Sequence, residues 1–91
     1  MQFEWDNKKD LENQLKHNIS FTTATKAFSD DYVVIADDPK HSLEELRFFC
    51  YGKVDGVVMT VRFTYRNEKV RIFGAAYWRE GTKIYAKKNN I

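Results

Sequence analysis

Cysteine and proline each occur once in these 91 residues, and glycine four times. A single cysteine forms no intramolecular disulfide and no cysteine-based zinc module, and it fits a reducing cytosol. So little glycine and proline argues against a linker or low-complexity chain, and no internal repeat is visible. No apolar run approaches the roughly 20 residues that span a bilayer. Met1-Gln2-Phe3-Glu4-Trp5-Asp6 lacks a basic stretch followed by an apolar one, so a cytoplasmic location is expected rather than a signal peptide. A large excess of one charge is missing too. Fifteen Lys+Arg against 13 Asp+Glu leave +2, too little by itself to announce a nucleic-acid partner. The length predicts one domain, residues 1–91, with a small core.

What is present is unevenly placed. Between Asp30 and Glu45 the acids are Asp30, Asp31, Asp37, Asp38, Glu44 and Glu45, with Lys40 the one Lys or Arg. From Arg62 to Ile91 eight Lys and Arg residues face only Glu68 and Glu80. Such segregation suggests an anionic partner for one region and a cationic one for another. Aromatics reach 15%, so a few large groups can fill a small core.

Asp6 is placed to cap a helix over residues 7–17, with Leu11 and Leu15 as a narrow apolar stripe and Asn18 as its end. Ser20 caps a shorter helix that turns Phe21, Ala24, Ala27 and Phe28 inward. Phe3–Trp5 reads as an extended lead-in, Tyr32–Ala36 as a strand, and residues 37–42 as a polar loop. Leu46–Val54, Val57–Arg66 and Lys69–Ala76 read as a three-strand meander. Asp55-Gly56 is a strong two-residue hairpin signal. It pairs Val54 with Val57, Gly52 with Met59, Cys50 with Val61 and Phe48 with Phe63, which makes one side a core face. The expected class is α+β: two N-terminal helices on a small, mainly antiparallel sheet of this meander plus a fourth strand.

Side chains alternate along a strand, so the other face follows. One row reads Arg47, Thr64, Arg71; the next reads Phe49, Arg62, Phe73; beyond them lie Tyr51 with Thr60 and Arg66 with Lys69. Cations hold phosphates and flat side chains hold unstacked bases, so this face suits RNA. Equally, Phe49, Tyr51 and Phe73 can pack under a C-terminal segment carrying Trp78, Ile84 and Tyr85, with arginine stems over them. Both hold if a helix covers half the face.

His17 and His41 have no acidic cluster at metal-ligand spacing, and no metal or other cofactor is expected. His17 suits a helix C-terminus. His41, Glu45 and Arg47 fall within seven residues and can either serve acid–base chemistry on a phosphodiester or form a surface loop. Cys50 falls on the core face and reads as a buried hydrophobe.

Several strings taken in order resemble the BrnT family, small bacterial ribonuclease toxins of type II toxin–antitoxin systems. Phe3-Glu4-Trp5-Asp6-Asn7-Lys8-Lys9 is similar to the family's opening Phe-x-Trp-Asp-x-x-Lys. Lys16-His17-Asn18-Ile19-Ser20-Phe21 follows, then Ala24, Phe28 and Asp30. His41, Ser42, Glu45 and Arg47 match a central His-Ser-x-x-Glu-x-Arg, with Gly52 after it. Thr64-Tyr65-Arg66 and Arg71-Ile72 resemble the last two strands. Two departures stand out: Asn18 replaces the usual glycine, and the usual Ile-Ser-Ala-Arg is here Phe73-Gly74-Ala75-Ala76, followed by Tyr77-Trp78-Arg79.

The resemblance implies a RelE-like fold with a short C-terminal helix. It also implies a BrnA-like antitoxin that brings the pair to promoter DNA, and an RNA substrate. Joined to the cross-strand rows, it marks Arg47, Arg62 and Arg71 as the phosphate clamp, with His41 or Glu45 as base or acid. Phe49, Tyr51, Arg66, Lys69, Phe73 and Arg79 are the expected RNA contacts. The expected activity is metal-independent endoribonucleolytic cleavage. The alternatives are an RNA- or antitoxin-binding module that has lost turnover with the arginine at position 76, and a basic face that only holds an acidic protein.

Overall fold

A computed structural model describes residues 1–91. Its elements run β1 (Phe3–Trp5), α1 (Asn7–His17), α2 (Phe21–Ala24), a 3₁₀ turn (Thr25–Ser29), β2 (Val34–Asp37), a second 3₁₀ turn (Pro39–His41), β3 (Phe48–Val54), β4 (Val57–Arg66), β5 (Lys69–Ala76) and α3 (Arg79–Asn89).

Local chemistry sets the helix ends. Asp6 Oδ1 accepts the Lys8 and Lys9 N–H groups at 2.8 and 3.4 Å, a cap worth about 1 kcal/mol. Asn18 closes α1 in the left-handed region at φ 56°, its N–H bonded to the Gln14 carbonyl. Ser20 Oγ accepts Thr23 N–H and starts α2.

The sheet order is β1-β5-β4-β3-β2, antiparallel except where β1 runs parallel to β5. The hairpin register at Asp55-Gly56 is the one expected, from Val54 opposite Val57 to Phe48 opposite Phe63. Asp55 and Gly56 both have positive φ, as a turn twisted with the strands requires. Asn67 and Glu68 do the same at the next turn, so Arg66 pairs with Lys69 and Thr64 with Arg71.

Several expectations are corrected. Phe3–Trp5 is a fifth strand rather than a lead-in. β2 begins at Val34 and β3 at Phe48, each two residues later than predicted. Phe73 does not stand opposite Arg62. A bulge inserts it, so Arg62 pairs with Gly74 and Phe63 with Ile72. On α1 the Leu11–Leu15 stripe faces solvent, 61% and 88% exposed, and the buried residue is Asn13. Its amide accepts from Ala75 N–H at 3.1 Å and donates to the Ala75 carbonyl at 3.0 Å, as a neighbouring strand would beyond the end of β1.

One sheet face carries Cys50, Val54, Met59, Val61, Phe63, Val70 and Ile72 and packs against Ile19, Phe21, Ala24 and Ala27. Burial pushes the Cys50 thiol up to about 12, so it stays protonated and inert. On the other face α3 covers only part of the sheet. Tyr85 packs there with Tyr51 and Val58, and Gly81 sits against Thr60 and Tyr51.

Asp30 ties α3 back to the sheet. Oδ2 accepts Lys53 N–H at 2.7 Å and the Tyr85 hydroxyl at 2.6 Å, and Oδ1 accepts Tyr32 N–H. Burial pushes this carboxyl up, but the donors outweigh it and hold it below its ordinary 3.8. A depressed folded-state value gives stability that is present above the unfolded pKa and lost as pH falls through the folded one. Urea midpoints should therefore hold from pH 7 to 5 and fall below about pH 4, less steeply in Asp30→Asn.

Candidate active site

The segment from Asp38 to Arg47 is fastened at its neck. Asp38 N–H bonds the Arg47 carbonyl at 2.8 Å. Ser42 Oγ donates to the Asp38 carbonyl at 2.7 Å and accepts Arg47 N–H at 2.9 Å. This staple delivers Arg47 to the open face at the start of β3. There its guanidinium carbon lies 4.0 Å from the Phe73 ring centroid, a cation–π contact, with Lys9 Nζ 5.2 Å from the same ring. Phe73, at the bulge and on its expected face, supplies the plate on which Arg47 rests.

The same loop holds a histidine–aspartate pair. His41 Nδ1 lies 2.9 Å from Oδ2 of the buried Asp38. A carboxylate only accepts, so Nδ1 carries the hydrogen and Nε2 of the neutral ring is left with a free lone pair. The imidazole is half exposed and lines a shallow pocket of about 260 Å³ together with Glu45 and Arg47. Hence His41, Glu45 and Arg47, grouped by sequence, do meet around one space.

Glu45 is not free in that space. Arg66 Nη2 reaches both its oxygens, at 3.0 and 2.9 Å, and Arg47 Nη2 stands 3.5 Å away. The Arg66 hydrogen bond, with the charge of both arginines, holds the Glu45 carboxyl below its ordinary value. It is an ionised anchor for Arg47, unsuited to donate a proton.

Arg47 also walls a second recess, of about 240 Å³, shared with Lys9, Lys16, His17, Arg62 and Phe73. Its cations Lys9, Lys16, Arg47 and Arg62 face one carboxylate, Glu12. Of these cations only Arg47 takes part in an ion pair. Arg47 thus borders two recesses, one lined by His41 with Glu44 and Glu45 and the other by cations in excess over Glu12, which gives the second a positive potential.

A family model described as ribonuclease toxin, BrnT, of type II toxin–antitoxin systems matches residues 5–81. The chain belongs to the BrnT family. No curated protein matches it. A toxin of this type has a cognate antitoxin and an RNA substrate. No helix is long and apolar enough to cross a membrane.

The other expected site residues of this BrnT-family chain divide by location. Arg62 reaches the second recess, and its guanidinium lies over Gly74: a Cβ there would stand 2.8 Å from Nη2. Arg71 pairs with Glu4 at 3.0 Å and is not on the wall of that recess, while Arg66 is bound to Glu45. Lys69 is half-buried at the β4–β5 turn, and Arg79 is exposed at the start of α3. Tyr51 corrects the expectation of an open aromatic surface, since it is only 4% exposed beneath α3. Phe49 is half-buried against Tyr51 and Trp78. Phe73 supports Arg47 rather than offering a bare ring.

The sequence reading missed Lys9, Lys16 and His17. His17 is the last residue of α1, as expected, with Asn18 as the cap, and it also lines the recess beside Arg62. The i, i+7 and i, i+8 spacing of Lys9, Lys16 and His17 on one helix face was the available signal.

Proposed function

We propose that this chain is a metal-independent endoribonuclease held in check by a BrnA-like antitoxin. The observation that carries this reading is the oriented His41–Asp38 pair sharing Arg47 with a groove of unpaired cations. The substrate's 2′-hydroxyl gives its proton to His41 Nε2 as O2′ bonds to phosphorus. The P–O5′ bond breaks, and O5′ takes up a proton, for which the groove holds His17 and the lysines Lys9 and Lys16. Arg47 and Arg62 meet the charge that grows on the phosphoryl oxygens. Arg71, fixed to Glu4, and Arg66, fixed to Glu45, shape the sheet end around them.

Purified protein should cleave single-stranded RNA in excess chelator, and Arg47→Ala and His41→Ala should each be slower by about 10²-fold or more. No cleavage by the wild-type protein, or cleavage at the wild-type rate by either variant, contradicts the assignment.

A second reading has one specific observation behind it. Ala76 lies on the wall of a crevice shared with Arg62 and Trp78, where the family's usual arginine would project. If its loss has abolished turnover, the chain binds RNA without product, and Ala76→Arg restores cleavage.

A further inference from the structure

The aromatic half of the expected RNA surface is mostly unavailable, since Tyr51 is buried, Phe73 carries Arg47 and Phe49 is half-buried against Trp78. One ring that the sequence suggested only as cover is open. Trp78, at the junction of β5 and α3, is 41% exposed. Phe49 braces it from beneath, with ring centroids 5.8 Å apart at 57°. Trp78 borders Arg62 and His17 around a crevice of about 50 Å³, too small to admit a nucleobase. A base that meets this ring therefore lies on its exposed part and not in the crevice. Arg62 lies over Gly74, and with the short Ala76 it lines the same crevice as Trp78.

We propose that Trp78 is the stacking platform for one unpaired base of the RNA whose neighbouring phosphate is held by Arg62. The inference rests on the ribonuclease reading and narrows it: the substrate is single-stranded at this position. A base inside a duplex is stacked on both sides and has no face to offer, whereas an unpaired base gains affinity by stacking on an aromatic ring. Trp78 contributes affinity and register, while Arg62 contributes charge, so the two differ in salt dependence.

The test uses the whole protein and a short, fully 2′-O-methylated RNA that cannot be cleaved, single-stranded or annealed to its complement. Trp5 packs edge-on against Phe21, so Trp78 is the indole placed to report binding by fluorescence. The single strand should quench it and the duplex should bind more weakly. Binding by Trp78→Ala, followed by anisotropy of labelled RNA, should weaken about 5- to 100-fold with the salt slope unchanged. Trp78→Phe should keep most of the affinity, which separates stacking from misfolding. Arg62→Ala should lower the slope by about 0.7. Wild-type affinity in Trp78→Ala, as expected if Trp78 instead anchors a protein, would overturn the inference, as would equal affinity for duplex. No RNA binding by the wild-type protein would overturn the ribonuclease reading itself.

Discussion

Arg62→Ala should slow RNA cleavage by about 10²–10³-fold with little change in stability. Arg62 is exposed, has no carboxylate partner and lies on Gly74 rather than in the core. Surface changes of this kind shift unfolding by about 0.5 kcal/mol or less. Its charge is available to a phosphate, and a cation aimed at developing negative charge stabilises the transition state more than the ground state. Arg71→Ala is the instructive comparison. It faces the same side of the sheet, but its guanidinium is paired with Glu4, which holds β1 to β5. Single-turnover rates at saturating RNA should rank Arg62→Ala far below Arg71→Ala. The reverse order would move the clamp toward the β1 edge.

Gly52→Ala should destabilise the fold by about 3 kcal/mol or more, through contact and not through backbone freedom. A Cβ at this position would lie 2.0 Å from the Ala27 carbonyl oxygen and 2.8 Å from its carbon. Both are backbone atoms of the 3₁₀ turn that covers the core face, so no side-chain rotation relieves the clash. The turn must lift, and the contacts of Ala27 and Phe28 with the sheet go with it. In a domain of this size the loss corresponds to a melting point lower by about 12–20 °C. Calorimetry on the single variant decides it. A shift of only a few degrees would mean that the turn moves freely over β3.

The sheet was legible where turn chemistry and alternation agreed. Asp55-Gly56 set the β3–β4 register, and the pairs from Val54–Val57 to Phe48–Phe63 followed. The register then failed at Phe73, because a bulge adds a residue without any local sign stronger than the glycine beside it. That failure lies at the site, where Phe73 keeps its expected face, against Arg47, and Gly74 takes the place opposite and beneath Arg62. Helix α1 misled for a different reason. Leu11 and Leu15 have the spacing of a core stripe, yet the helix is tied to the edge of β5 by the polar Asn13, a tertiary pairing that hydropathy does not register. The staple at Ser42 and the pairing of His41 with Asp38 were within reach, since all three residues are neighbours in the chain. The burial of Tyr51 was not, because it depends on where α3 returns to the sheet. Trp78 does cover Phe49, as expected, but it stands at the margin of that cover, 41% exposed and next to the cations.

The proposed ribonuclease activity requires side chains alone to drive attack by the RNA's own 2′-hydroxyl. Mass spectrometry of the products made in excess chelator tests it most directly, with a matched RNA bearing a 2′-O-methyl group at the cleaved position. The expected result is a 2′,3′-cyclic phosphate on the upstream fragment, a 5′-hydroxyl on the downstream one, and no cut in the methylated RNA. A 3′-hydroxyl with a 5′-phosphate, or cleavage that persists beside the 2′-O-methyl group, would contradict it.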